Sequence, residues 1–579
     1  MAALVLAAAL LGFSADPAIV QIKQSTDPAI VQTKQGRVRG VATSTSRRWL
    51  GIPFAAPPVG ALRWQAPQPP TMWAPATRDA LAFGHNCLQT GRTVDMGWPQ
   101  PRSTLSEDCL TLNVYAGPAA AADKPVPVLF WIYGGGFQGG GGNETRLNGT
   151  WDAALLAGEL VLVTSNYRLD AFGFAASAAL SERESKLAGE RRGTGNYGIL
   201  DQRAALRWVS ENIGAFGGDA SRLLIVGQSA GASSVSQHLV RPASWGLFSA
   251  AGMESGAFYD GKATPTVADR KPAWDKYVAA AGCAEAADAA ACLVALPADA
   301  LLNLTARKGG WGGQWDNPVV DGVDLLAPGP ELAAQGWIAK VPIFAGGCSD
   351  DINVFEGRCK GDRCGRANFE AVARRYGFDE AQAEALAGLY AADGAPADDA
   401  TTDAAVDWSR AIAHAGADAW ANCPARRVAR WYAAAKQPAW WYLWSYVPLG
   451  PNGAAGAHHA VEQPFVFHVL NETVEQRKED GGVYHIDPSE APFSARLVRA
   501  WAAMAATGDP NAPGHDGVGW PPFGASANGS ALLIEGSGAR GAAFRAAANY
   551  MGGKCDLFDA AFEAAGARLP IRTPRPGEW

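Results

Sequence analysis

No apolar run in this 579-residue chain is long enough to cross a bilayer, which as a helix takes about 20 consecutive apolar residues. Positive charge is not in excess either: 49 Lys and Arg against 56 Asp and Glu leave a net charge of −7. That balance gives no electrostatic case for binding nucleic acid or an anionic membrane. No Pro/Ser-rich linker divides the chain, so a single domain around one wide sheet is the simplest expectation, as in large α/β enzymes. With 48% hydrophobic and 18% charged residues, the composition is that of a globular protein.

What is present begins with an apolar stretch, Ala2–Gly12, followed by the small residues Ser14 and Ala15. It reads as a secretory signal over residues 1–15, although no Lys or Arg precedes it. Residues 16–35 hold a duplicated segment, DPAIVQIKQST then DPAIVQTKQG, and only the second copy runs on into the rest of the chain. Five Asn-x-Ser/Thr sequons (Asn143, Asn148, Asn303, Asn471, Asn528) and nine cysteines fit an oxidising, extracellular route. Cys87 and Cys109 bracket one loop, Cys283 and Cys292 a short Ala-rich one, and Cys423 and Cys555 lie far apart. These three pairs are the expected disulfides. Cys359 and Cys364 bracket a further small loop, which leaves Cys348 over.

The chemistry centres on Arg222–Ser236, RLLIVGQSAGASSVS. Four apolar residues, Leu223–Val226, suit a strand buried on both faces, and a small-residue helix follows. Between them stands Gly227-Gln228-Ser229-Ala230-Gly231, a G-x-S-x-G in the strand–turn–helix setting that makes Ser229 a candidate nucleophile. Upstream, the strand Val126–Ile132 ends in Tyr133-Gly134-Gly135-Gly136-Phe137. The backbone N–H groups of Gly135 and Gly136, with that of Ala230, are the expected oxyanion hole. Leu160–Ser165 reads as a further buried strand and Asp201–Ile213 as an amphipathic helix feeding the nucleophile strand, so the sheet is expected to be parallel there. Gly51–Pro58 and the residues after it, as far as Trp64, read as an irregular Pro-rich surface segment that is no central strand.

GIPFAAPPVGALRW, SEDCLTLNVY, WIYGGGF, NYRLDAFGF, DQRAALRWVSENIGAFGGD and GQSAG resemble, in order, the signature stretches of the type B carboxylesterases, the family that includes cholinesterases and fungal lipases. The resemblance covers residues 36–558, leaving 559–579 as a tail. It implies an α/β-hydrolase fold: a large, mostly parallel central sheet flanked by helices, with a gorge leading to the serine. It also implies a serine carboxylic-ester hydrolase that needs no metal or cofactor, with a small-molecule or lipid ester as its partner.

A serine hydroxyl needs a base, and the base needs a carboxylate to hold its tautomer. In this fold they follow the serine as acid, then histidine. The strand-like Val341–Gly347 leads to Cys348-Ser349-Asp350-Asp351; by similarity to the family Asp351 is the acid, with Asp350 the alternative. His85 and His238 precede it and fail the order. Of the remaining histidines, His414, His468, His485 and His515 read as structural or solvated. The family's histidine stands three residues before a glutamate leading into an F-V-F-like strand, which selects His459 through Glu462 and leaves His458 a bystander.

For the pocket, Trp98 falls close to the aromatic that stacks on choline in cholinesterases. Trp311 and Trp315 flank Gly312-Gly313-Gln314, where cholinesterases keep bulky aromatics, so the acyl side is expected to be open. Gln228 stands where cholinesterases carry glutamate. Ordinary packing is the alternative for Trp98; Gln228 and the open acyl side favour neutral esters over choline esters, with a cholinesterase or lipase-like activity as the alternative. Some family members have lost the triad and act in cell-surface recognition; here all three residues are present.

Overall fold

The computed structural model describes residues 29–44, 46–89, 104–118, 120–143, 160–258, 264–305, 315, 317–353, 364–375, 377–394, 406–449, 456–468, 486–512, 518–527, 529–538 and 541–564. The signal, the first copy of the duplicated segment, Trp98, Trp311, Asn148, Asn471, Asn528 and Cys359 lie outside them.

The strands are β1 (Ala29–Thr33), β2 (Gly36–Ala42), β3 (Arg47–Pro53), β4 (Thr77–Asp79), β5 (Asn86–Cys87), β6 (Leu105–Ser106), β7 (Thr111–Ala116) and β8 (Val126–Ile132). They continue as β9 (Val161–Ser165), β10 (Gly218–Gln228), β11 (Ala250–Glu254), β12 (Ile343–Cys348), β13 (Ala439–Trp444), β14 (Ser530–Ser537) and β15 (Gly541–Ala548). One sheet runs in the order β1-β2-β3-β7-β9-β8-β10-β11-β12-β13-β14-β15, with β4 beside β2, and β5 pairs with β6 apart from it. From β9 through β8, β10, β11, β12 and β13 to β14 every neighbour is parallel. The pairs at both ends are antiparallel.

Sequence explains the parallel centre. β8, β9, β11, β12 and β13 are buried at every position, which is what a sheet covered by helices on both faces requires of its strands. The helix Ala491–Thr507 covers one face, and its Trp501 packs on Phe344 of β12 at 4.7 Å between ring centroids. The helix Tyr197–Asn212 starts earlier than its polar spacing suggests because Tyr197 and Ile199 are buried with it. Buried charge joins the signature stretches: Arg63 forks onto Glu107 at 2.6 and 2.7 Å, and Arg168 onto Asp201 at 2.7 Å twice. Paired forks of this kind fix orientation as well as neutralising charge.

One expectation is corrected. Gly51-Ile52-Pro53 is the end of β3, inside the sheet between β2 and β7, and Ile52, Phe54, Ala55 and Trp64 are buried. The proline is accommodated because it closes the strand, where a missing N–H costs little of the ladder, and the register shifts between Trp49 and Ile52. The second copy of the duplicated segment supplies β1, paired with β2 from Ala29↔Gly40 to Thr33↔Gly36. At the other end a helix, Gly552–Ala564, is held by the Cys423–Cys555 disulfide and by Arg427, whose Nε lies 2.5 Å from Asp559. That disulfide closes a loop of 132 residues in sequence, for which chain entropy alone gives about 5 kcal/mol.

Candidate active site

The chain leaves β8 for β9 on one side and returns to β10 on the other. Such a reversal opens a crevice at the carboxyl ends of the strands. Gly134–Gly136 follow β8 and Ser229 follows β10, so both border it. Asp351 follows β12, and His459 lies on the loop after β13.

Ser229 is the sharp point of this arrangement. Its backbone, φ 59° and ψ −126°, lies in a region that non-glycine residues seldom occupy, a strain of order 1–3 kcal/mol. The turn is so tight that a Cβ on Gly227 would stand 2.4 Å from the Gly231 carbonyl carbon, and one on Gly231 would stand 2.0 Å from Ile132 O. Both flanks must therefore be glycine. The Ser229 N–H donates to Glu254 O at 2.9 Å, and Ser229 O accepts from Ser233 N–H at 2.9 Å as the helix Ala230–Leu239 begins. Ala230 opens that helix, so its N–H belongs to the unpaired first turn. Across the crevice a Cβ on Gly134 would lie 2.9 Å from Ser229 Cβ, which brings Gly135 and Gly136, at φ 107° and 62°, beside the serine.

His459 and Asp351 meet with no side-chain exposure: His459 Nδ1–H donates to Asp351 Oδ1 at 2.6 Å. Asp351 Oδ2 accepts the Cys348 N–H at 2.9 Å. With Nδ1 carrying the proton, Nε2 is the nitrogen that can accept one. Gln228 connects this pair to the elbow. Its Nε2 sits 3.3 and 3.2 Å from the two ring nitrogens, and its Oε1 accepts from Gln463 at 2.9 Å. A hydrogen bond from Ser229 Oγ to His459 is not among those formed by the described residues; such contacts are often long without substrate and tighten when it binds.

Behind the pair lies a shell of which the sequence singled out only Glu462 and Cys348. Trp420 packs edge-to-face on His459 at 4.7 Å between centroids, from a π-helical turn, Asp418–Asn422; such one-turn insertions recur at functional sites. Asn422, on the same turn, donates to Cys348 O at 3.1 Å. The Cys348 thiol donates to Glu462 Oε2 at 3.2 Å. Burial, and then the Glu462 and Asp351 carboxylates, push that thiol well up, so it stays protonated. Burial and then Glu462 also push the Glu254 carboxyl well up, and Trp501 Nε1–H donates to it at 2.9 Å. These residues come from separate elements; Glu462 was legible as the marker of the histidine, and Cys348, left without a disulfide partner in the sequence, is indeed a free, buried cysteine.

Other expected residues fall elsewhere. Trp315 is buried against Tyr277 and Arg270. Phe465-Val466-Phe467 follow Glu462 as a short helix, Gln463–Val466, rather than the expected strand; Pro464 at its start presets a helical turn. His468 bonds Ser494 at 2.7 Å and His238 bonds Ser244 at 2.9 Å, both structural contacts. Asn303 is exposed on the helix Ala298–Thr305, and Asn143 is half-buried. Cys87–Cys109, Cys283–Cys292 and Cys423–Cys555 are all bonded.

Residues 27–552 match the carboxylesterase family. The chain is 32% identical over 494 residues to the para-nitrobenzyl esterase of Bacillus subtilis, covering 84% of this chain and 91% of that protein. It is 32% identical over 503 residues to the fumonisin B1 esterase of Sphingopyxis macrogoltabida, covering 86% and 83% respectively. It is 43% identical over 234 residues to the acetylcholinesterase of Gallus gallus, but this spans only 38% of this chain and 29% of that one. The crystal structure of the Geobacillus stearothermophilus carboxylesterase EST55 at pH 6.2 superposes with a TM-score of 0.72 at 30% identity, covering 92% of this chain and 99% of its own. The chain belongs to the carboxylesterase family, with its α/β-hydrolase fold, and is a carboxylic ester hydrolase.

Proposed function

We propose that this protein is a secreted serine carboxylesterase that hydrolyses neutral esters through an acyl-enzyme. The observation that carries the reading is the buried Asp351–His459 hydrogen bond beside the strained Ser229 turn. Ser229 Oγ attacks the ester carbonyl as His459 Nε2 takes its proton, and Asp351 holds the ring by Nδ1–H throughout. The N–H groups of Gly135, Gly136 and Ala230 receive the oxyanion, each such donor being worth about 10² to 10³ in rate. His459 then protonates the leaving alcohol, and water repeats the sequence on the acyl-enzyme.

The preference for neutral esters rests on Gln228. Its side chain is buried, carries no charge and is already bonded to His459 and Gln463, so it supplies no anion for a choline ammonium. The para-nitrobenzyl esterase and the fumonisin B1 esterase, which match most of the chain, are not named for choline esters. An aromatic face alone is worth about 0.5–2 kcal/mol to a cation, at most about thirtyfold. We expect kcat/KM for a choline ester and for its uncharged isostere to lie within about thirtyfold, with Gln228→Glu favouring the choline ester. A wild-type preference for choline well above a hundredfold would sink the assignment.

Secretion is supported by the apolar N-terminus, the sequons and the three disulfides. Peptide mapping of the secreted protein under non-reducing conditions should recover these three pairs, a mature N-terminus near Asp16 and glycan on the exposed Asn303. Free thiols at all six positions would overturn this.

A further inference from the structure

The acid loop and the histidine loop are joined not only by Asp351 and His459 but also by the residue before Asp351. Asp350 and His458 form an isolated parallel bridge, with Asp350 N–H donating to Ala457 O at 3.0 Å. Asp351 and His459 meet side chain to side chain, while the Asp350 carboxylate lies on another side of the bridge, against Gly456 and Ala457.

On that other side the Asp350 carboxylate is fully engaged. Oδ2 accepts the Ala457 N–H at 3.1 Å and the Ser349 hydroxyl at 3.3 Å, and Oδ1 accepts Asn353 Nδ2–H at 3.2 Å. His414 Nε2, from the helix Trp408–Ala417, stands 3.7 Å from Oδ1. The carboxylate lies so close to the histidine loop that a Cβ on Gly456 would be 2.7 Å from Oδ2. Backbone and side chain of one residue thus grip Ala457 from both directions, next to the stretch that carries His459. The helical run that supplies His414 continues into the π-turn that supplies Trp420, so one brace reaches both loops.

We propose that Asp350 is a positioning residue: its carboxylate fixes the register of the 456–459 loop against the acid loop, and so holds the His459 ring where it can serve both Asp351 and Ser229. A misplacement of about 1 Å at a catalytic group costs up to about 10²-fold. The carboxylate acts here as an acceptor of hydrogen bonds, not as a titrating acid. An amide at the same place retains an acceptor for Ala457, and Asn353 can turn its own amide to meet it.

The inference rests on His459 being the general base. The test compares Asp350→Ala with Asp350→Asn in the full-length protein on a p-nitrophenyl ester, with active sites counted by burst titration. Asp350→Ala is expected to lower kcat per active site by about 10- to 100-fold with KM little changed. Acylation and deacylation should slow by the same factor, because the same ring serves both. Asp350→Asn is expected to restore kcat to within a few-fold of wild type. Should the alanine protein not fold, Asp350→Ser, too short to reach Ala457, is expected to show the same loss. Unchanged kcat per active site in the alanine or serine variant, or equal impairment in the asparagine variant, would overturn the proposal. Activity surviving in His459→Ala would instead overturn the base assignment beneath it.

Discussion

Ser229→Ala and His459→Ala are each expected to lower kcat by about 10⁴-fold or more, with the fold intact. The size of the effect follows from their acting as one unit: without the hydroxyl there is no acyl-enzyme, and without the ring nothing takes its proton. What remains is the contribution of the N–H donors around the crevice. The serine variant should show no burst of alcohol release, whereas the wild type should show one. Backbone geometry adds a second readout. Alanine at φ 59° and ψ −126° is strained as serine is, so its stability should match the wild type, while Ser229→Gly, equally inactive, should be more stable by about 1 kcal/mol. Full esterase activity in Ser229→Ala would end the assignment of the nucleophile.

Asp351→Asn is expected to lower kcat by about 10³- to 10⁴-fold. Asp351 accepts from both the His459 Nδ1–H and the Cys348 N–H, and an amide has one oxygen to offer where two are used. Asparagine either turns its NH₂ toward Nδ1, which then has to give up its proton and present the wrong tautomer, or turns it toward a backbone N–H. Both outcomes disarm the base. Asp350→Asn, one residue earlier, keeps the Ala457 contact and should lose only a few-fold. The reverse ranking of the two variants in steady-state kinetics would exchange their roles.

Much of this architecture could be read before any coordinates. The apolar runs at Val126–Ile132 and Leu223–Val226 fall within β8 and β10 because a strand buried on both faces leaves no room for polar alternation. The Gly227 and Gly231 pair announced the turn because no other residue fits it. What escaped depends on contacts between distant segments. Proline near residue 53 argued against a strand, yet as the last residue of β3 it breaks little of the ladder. Gln228 bonds Gln463 and His459, a pairing across more than 230 positions that no local pattern encodes. Glu254, Trp420 and Asn422 reach the centre from a strand and a π-turn with no motif of their own. Trp98 and Trp311, expected to line the pocket, lie outside the described residues.

The Cys348 thiol has a consequence for how the molecule breathes. It is completely buried at the end of β12, hydrogen-bonded to Glu462 and held in its protonated form. Folded protein is thus doubly silent toward an alkylating reagent, which needs both access and a thiolate. Any mass gained on the Cys348 peptide counts molecules whose β12 end had come undone while the reagent was present. Under conditions where reclosing is fast, the labelling rate reports the free energy of that local opening; where reagent outruns reclosing, it reports the opening rate itself. Because the Cys348 N–H anchors Asp351, an alkylated molecule cannot rebuild the acid and is lost to turnover at the same moment. Label uptake and loss of activity are therefore two traces of one clock, wired into the wall of the crevice.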